Sequence, residues 1–188
     1  MKKLLLLMAA VLSFALPSFA ETITLTSDFL GMSGNSYTNY TKEDAASGLT
    51  FKLRAAVNGG IAMNNNKCAY FAVSANKNDV VITNIKLNMA TKGRAYVFKI
   101  IKNSVPFTLP TGTSGKGALK GTEVAEISTT QNSDGGVFDV NDSYVGFYQE
   151  SGNLCSFSSI EITYESRSSL NKEPAGLAYT TTEFNVEF

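Results

Sequence analysis

The stretch Leu49-Thr50-Phe51-Lys52-Leu53-Arg54-Ala55-Ala56-Val57 decides the fold class. Successive side chains of an extended chain point to opposite sides, so Leu49, Phe51, Leu53, Ala55 and Val57 share one face and Thr50, Lys52 and Arg54 the other. That is a half-buried strand. Upstream, Ile23 and Leu25 alternate with Thr22, Thr24 and Thr26. Downstream, strand patterns cover 68–74, 80–90, 95–101, 124–128, 136–140, 144–149 and 157–164, with Asn-, Gly- and Ser-rich turns at 58–60, 64–67, 76–79 and 132–136. No amphipathic run is long enough to demand a major helix, and 42–47 reads as a short turn at most. The spacing predicts an all-β, antiparallel β-sandwich, jelly-roll-like rather than alternating β and α units. Its expected core is Ile23, Leu25, Leu49, Phe51, Leu53, Phe71, Val73, Ile85, Leu87, Ile160 and Ile162.

Before this body, Lys2 and Lys3 precede an apolar run from Leu4 to Leu16, then Pro17, Ser18, Phe19 and Ala20. This is the pattern of a secretory signal peptide over residues 1–20, cleaved after Ala20. The run is too short to span a bilayer comfortably. The expected location is therefore outside the cytoplasm: periplasmic, cell-surface or extracellular, with no transmembrane segment in the mature chain. The 188-residue chain has a formal charge of zero, and loss of Lys2 and Lys3 leaves −2. Without a basic cluster there is no electrostatic reason to expect a nucleic-acid partner. Residues 21–165 form the expected sandwich domain, 166–173 a linker, and 174–188 a further strand-like piece.

The sequence contains no His, which removes the usual proton shuttle near neutral pH and the common Ser-His-Asp arrangement. Thr111-Gly112-Thr113-Ser114-Gly115-Lys116-Gly117 has phosphate-loop composition, but Pro110 stands where the first glycine belongs and Gly117 where Ser or Thr must hold a metal. It reads as a loop. Asp134 with Asp139, and Glu161 with Glu165, read as solvated carboxylates, and Asn132, Asp134, Asp139 and Asp142 miss the calcium-loop spacing. The reading is non-catalytic, with no metal and no cofactor.

Cys68 and Cys155 are the two cysteines. Export favours a disulfide between them, with two buried thiols as the alternative. Parity agrees: if Phe71 and Val73 face inward, Cys68 faces outward, and if Ile160 and Ile162 face inward, so does Cys155 face outward. The tyrosines carry the functional expectation. Tyr37 and Tyr40 lie in a Gly/Ser/Asn/Thr segment, and Tyr144 and Tyr148 have opposite parity to Val145 and Phe147. Loop or outward tyrosines can stack on a sugar ring while hydroxyls and Asn side chains hydrogen-bond, so these four are the candidate carbohydrate-binding residues. The competing reading makes them packing residues of a structural or adhesive module.

Ile23-Thr24-Leu25-Thr26-Ser27-Asp28-Phe29, Gly48-Leu49-Thr50-Phe51, Ile82-Thr83-Asn84-Ile85-Lys86-Leu87 and Phe157-Ser158-Ser159-Ile160-Glu161-Ile162-Thr163-Tyr164 together resemble modules of exported, multi-domain surface proteins from the Bacteroidetes. The resemblance implies a galactose-binding-like jelly roll that binds glycans or cell-surface ligands, sometimes as an accessory to a glycan-active enzyme. Residues 174–188, from Pro174 to Phe188, resemble the opening of a bacterial immunoglobulin-like repeat. Phe184, Val186 and Phe188 build one apolar face before the sequence stops, so the expectation is a fragment, with an extra strand on the first domain as the alternative.

Overall fold

The computed structural model describes residues 20–90, 95–129 and 134–166. The expected signal peptide up to Phe19 and the expected immunoglobulin-like piece at 174–188 lie outside them, as do the expected linker beyond Ser166 and Asn132. Eleven strands follow in chain order: β1 Glu21–Leu25, β2 Thr38–Asp44, β3 Leu49–Val57, β4 Ile61–Met63, β5 Tyr70–Ala75, β6 Val80–Met89, β7 Tyr96–Asn103, β8 Thr122–Ser128, β9 Gly135–Asp142, β10 Tyr144–Gly152 and β11 Cys155–Ser166. Every pairing between them is antiparallel.

The strands form a jelly-roll-like sandwich. One sheet runs β8-β7-β10-β5-β3-β2. The other runs β9-β6-β11, and β11 carries β4 and β1 side by side along its far edge. The last residues of β3, Ala56 and Val57, pair with β4 and so join the sheets along one side. We call the first the strapped sheet, for the loop described below, and the second the β6/β11 sheet.

Their inner faces meet in an aromatic core. Phe71 stacks on Phe147 at 5.1 Å, and Phe98 and Phe157 meet Phe147 edge-on at 6.0 and 5.4 Å. Each such ring, fully withdrawn from water, contributes about 1.5–3 kcal/mol of transfer free energy. All of the core residues expected from alternation are fully buried except Ile23, which packs half-buried at its edge.

Three features depart from the sequence reading, each for a physical reason. β2 forms where a loop and turn were expected. It is an edge strand paired only with β3, so it keeps polar residues, and its inward positions are filled by Tyr40 and by Lys42, whose ammonium lies 5.5 Å over the Phe29 ring. The turn is confined to Ala45–Gly48, where Ser47 N donates to the Asp44 carboxylate at 2.9 Å. β4 is three residues long, too short to show alternation.

The third departure removes the expected disulfide: Cys68 and Cys155 are two buried thiols. A bulge in β11 between Phe157 and Ser159 adds one residue to the pleat. Ile160 and Ile162 therefore face inward, and so do Phe157 and Cys155 before the bulge, so Cys155 belongs to the inter-sheet core. Cys68 sits in the left-handed turn before β5 (φ 54°), with its Sγ 3.9 Å from the Lys116 carbonyl oxygen. The parity that would have aligned the sulfurs is broken by the bulge.

Candidate functional site

The outer face of the strapped sheet is built from the polar side of the decisive stretch. Since Phe51 and Leu53 face the core, Thr50, Lys52 and Arg54 must face away from it. Register extends each of them into a row across the sheet. Glu43, Thr50, Ser74, Tyr144 and Asn103 form the first row; Thr41, Lys52, Ala72, Gly146 and Ile101 the second; Asn39, Arg54, Tyr70, Tyr148 and Lys99 the third.

The loop from Ser104 to Gly121 straps part of this face. Its Phe107, Leu109 and Leu119 pack onto Tyr70, Ala72, Ile101 and Tyr148, forming a second apolar cluster separate from the main core. Gly146 makes the approach possible: a Cβ there would stand 2.5 Å from Leu119 Cδ1 and 2.5 Å from the Phe71 carbonyl oxygen. The strap is anchored where Cys68 N donates to the Gly115 carbonyl at 2.6 Å and Gly115 N to that of Asn66 at 3.2 Å, and Lys116 pairs with Glu150. The segment with phosphate-loop composition, 111–117, is therefore the far end of this strap.

Beside the strap the first row borders a groove. Glu43, Thr50, Lys52, Ser74, Ala75, Asn76, Asn78, Pro106 and Tyr144 line a groove of about 420 Å³. A recess of about 370 Å³ continues past Tyr144 toward Lys77, Ser104 and Asp142. Asn76 is fixed at both ends, its N–H donating to the Gly48 carbonyl at 2.8 Å and its Nδ2 to Thr50 Oγ1 at 2.6 Å. Lys52, Glu43 and Asn78 are exposed. Chemically the groove offers one half-buried aromatic ring, amides, hydroxyls, one cation and one carboxylate, which is an inventory for holding a polyhydroxylated ligand.

The four candidate tyrosines are not brought together. Tyr144 lines the groove. Tyr148, four residues along the same face of β10, lies in the apolar cluster under the strap, and burial first and the neighbouring Glu150 second raise its phenol pKa. Tyr40 pairs in register with Leu53 and so belongs to the inward side; its hydroxyl donates to the Ser33 carbonyl at 3.0 Å. Tyr37 packs against the main core, and burial, with a smaller contribution from Cys155, pushes its pKa up to about 12. Tyr37 and Tyr40 are thus half-buried against the main core and Tyr148 is covered by the strap, because pleat parity and the strap, rather than residue type, set where each ring lies. Lys52, Glu43, Asn76 and Asn78 were missed in the sequence; the outward parity of β3 was the signal that could have found Lys52.

Among the described residues, no three or more His, Cys, Asp or Glu side chains gather to hold a metal ion. Of the aspartates considered for calcium, Asp139 accepts from Asn84 Nδ2 at 3.0 Å and Asp142 from the Ser143 N–H at 2.8 Å. No helix of the described residues is long and apolar enough to cross a membrane.

No protein-family model matches the chain, and no curated protein matches it. Solved structures with partial similarity include two mutants of CBM29-2, a family 29 carbohydrate binding module. Both are 16% identical; one has a TM-score of 0.35 over 79% of this chain and 94% of that one, the other 0.33 over 78% and 92%. A family 32 module from C. perfringens NanJ in complex with galactose is 13% identical, with a TM-score of 0.32 over 77% of this chain and 93% of that one. At these TM-scores the likeness is remote, and the functional reading below rests on the groove itself.

Proposed function

We propose that this chain is an exported, non-catalytic binding module that holds a glycan in the groove around Tyr144. The observation that supports it is the cross-strand row Glu43-Thr50-Ser74-Tyr144, which lines a groove beside the exposed Lys52 and Asn78. Tyr144 would stack on the apolar face of a sugar ring, while the amides and hydroxyls bond to its substituents. Neighbouring strands lie about 4.8 Å apart, so the four positions from β10 to β2 span about 15 Å, enough for a short oligosaccharide lying across the strands.

The test is a glycan array followed by calorimetry on the wild-type chain and Tyr144→Ala. The expected result is binding that weakens about tenfold in the variant, the loss of one aromatic contact. A silent array, or a Tyr144→Ala variant that binds as well as wild type, overturns the reading. The second reading, a structural or adhesive module, is favoured by Tyr37, Tyr40 and Tyr148 acting as packing residues, and a silent array would leave it standing.

A further inference from the structure

Arg54 stands in the third row of the strapped sheet's outer face, and only 9% of it is exposed. A guanidinium withdrawn this far from water ordinarily faces a carboxylate, because an uncompensated buried charge is costly. Here it does not. Its Nε donates to the Lys67 carbonyl at 3.0 Å and its Nη1 reaches Asn39 Oδ1 at 3.5 Å, and both acceptors are neutral. Among the described residues no ion pair involves Arg54. Among the described residues Nη2 has no hydrogen-bond partner, yet it is not sealed from solvent.

Two further cations stand close by. Two residues back on the same face of β3, about 7 Å along the strand, Lys52 lines the groove and, among the described residues, forms no ion pair. Lys67, which holds the Nε, is exposed beside it. The register partners of Lys52 and Arg54 are Thr41, Ala72, Asn39 and Tyr70, none of them acidic. Carboxylates on this face are placed elsewhere: Glu43 stands one row beyond Lys52, Glu150 pairs with Lys116 beside Tyr148, and Glu123 pairs with Lys99.

From this geometry we infer that the outer face of β3 beside the groove forms an oxyanion site, and that the ligand is an acidic glycan whose carboxylate or sulfate group is held by Lys52 on the groove wall and by the solvent-touching Nη edge of Arg54 next to it. The Nη edge of a guanidinium whose Nε is already fixed matches two oxygens of one anionic group, whereas the Lys52 ammonium acts as a movable point charge. Arg54 is then held in position by the Asn64–Cys68 turn before any ligand arrives. The inference rests on the glycan reading for its ligand, but the anion site itself has an independent readout.

The experiment compares the wild-type chain with Arg54→Gln, Arg54→Lys and Lys52→Gln on an array of neutral, uronic-acid and sulfated oligosaccharides. Expected hits are acidic, with the uronic and sulfated arms telling carboxylate from sulfate, and binding at least tenfold weaker in Arg54→Gln. Arg54→Lys, which keeps the charge but loses the fork, should also weaken binding and covers the case in which Arg54→Gln does not fold. Neutral glycans bound as tightly as acidic ones, and unaffected by the Arg54 and Lys52 substitutions, would overturn the acidic-ligand inference while leaving glycan binding intact. An array silent in every arm sinks glycan binding instead, and inorganic sulfate then decides the site alone. Thermal stabilisation by sulfate over chloride at matched ionic strength should be greater in wild type than in Arg54→Lys and Lys52→Gln; equal stabilisation overturns the anion site.

Discussion

The two outer faces of the sandwich handle their polar groups in opposite ways. On the β6/β11 sheet the groups bond to one another: Lys86 Nζ reaches both Glu161 oxygens at 3.0 and 3.2 Å, Asn88 Nδ2 bonds to Glu161 at 2.7 Å and to Ser159 at 2.9 Å, and Thr22 meets Thr163 at 3.0 Å. The strapped sheet keeps its ion pairs at the β7/β8 edge and the strap, Lys99 with Glu123 and Lys116 with Glu150, whereas between β10 and β2, among the described residues, Lys52 and Glu43 form no ion pair and Arg54 has only neutral acceptors. A face whose donors and acceptors are matched internally has little left to offer a ligand. Convergent groups left unmatched around an aromatic ring are what a binding site requires.

The sharpest contrast lies within one strand. Tyr144 and Tyr148 project from the same face of β10, yet the first lines an open groove and the second is covered by Leu119, Phe107 and Leu109. Tyr148→Ala should therefore cost about 3 kcal/mol in urea unfolding, through lost transfer energy and a cavity under the strap. Tyr144→Ala should cost about 1 kcal/mol or less while weakening ligand binding. Equal stability losses at the two positions would erase the distinction between covered and open halves.

Gly146 tests the closure of the strap directly. Gly146→Ala places a methyl group against Leu119 and the Phe71 carbonyl, so it should destabilise by about 1–3 kcal/mol and raise hydrogen-exchange rates in the strap before those of β10. If the strap amides in 104–121 exchange no faster than in wild type, Leu119 is not held by the space that Gly146 leaves.

These contrasts mark how far the sequence could be read. Alternation in 49–57 and 144–149 located the strands and their inward residues, because one buried face imposes a period of two. It failed at Cys155, where one bulged residue reversed the faces, and at β2, where an edge strand needs little apolar surface. It also failed at Tyr148. Outward parity predicts exposure only when nothing crosses the sheet, and the residues that cover it, Phe107, Leu109 and Leu119, sit without periodicity in a Gly/Pro/Thr-rich loop. Tyr144 was legible as outward-facing, and it lines the groove. Arg54 was legible as outward-facing, but its burial without a carboxylate depends on the turn at 64–68 and could not be read from spacing.

The smallest predicted effect concerns the matched charges on the β6/β11 sheet. Lys86, with Asn88 adding a second hydrogen bond, holds the Glu161 carboxyl below the usual carboxylate range. A lowered folded-state value means that the unfolded chain takes up the proton first as pH falls. The pair's contribution is therefore complete above the ordinary Glu value of about 4.3 and disappears as pH drops through the lower folded value. Both side chains are partly exposed, so the contribution is about 0.5 kcal/mol. The stability gap between wild type and Lys86→Ala should have that size at pH 7 and close in acid, while glycan binding is unchanged. Lys52→Ala, which breaks no ion pair among the described residues, should show no acid-dependent gap but should weaken binding. A pH-independent gap at Lys86, or a binding loss there equal to that at Lys52, would mean that the two faces do not divide the work of stability and recognition in this way.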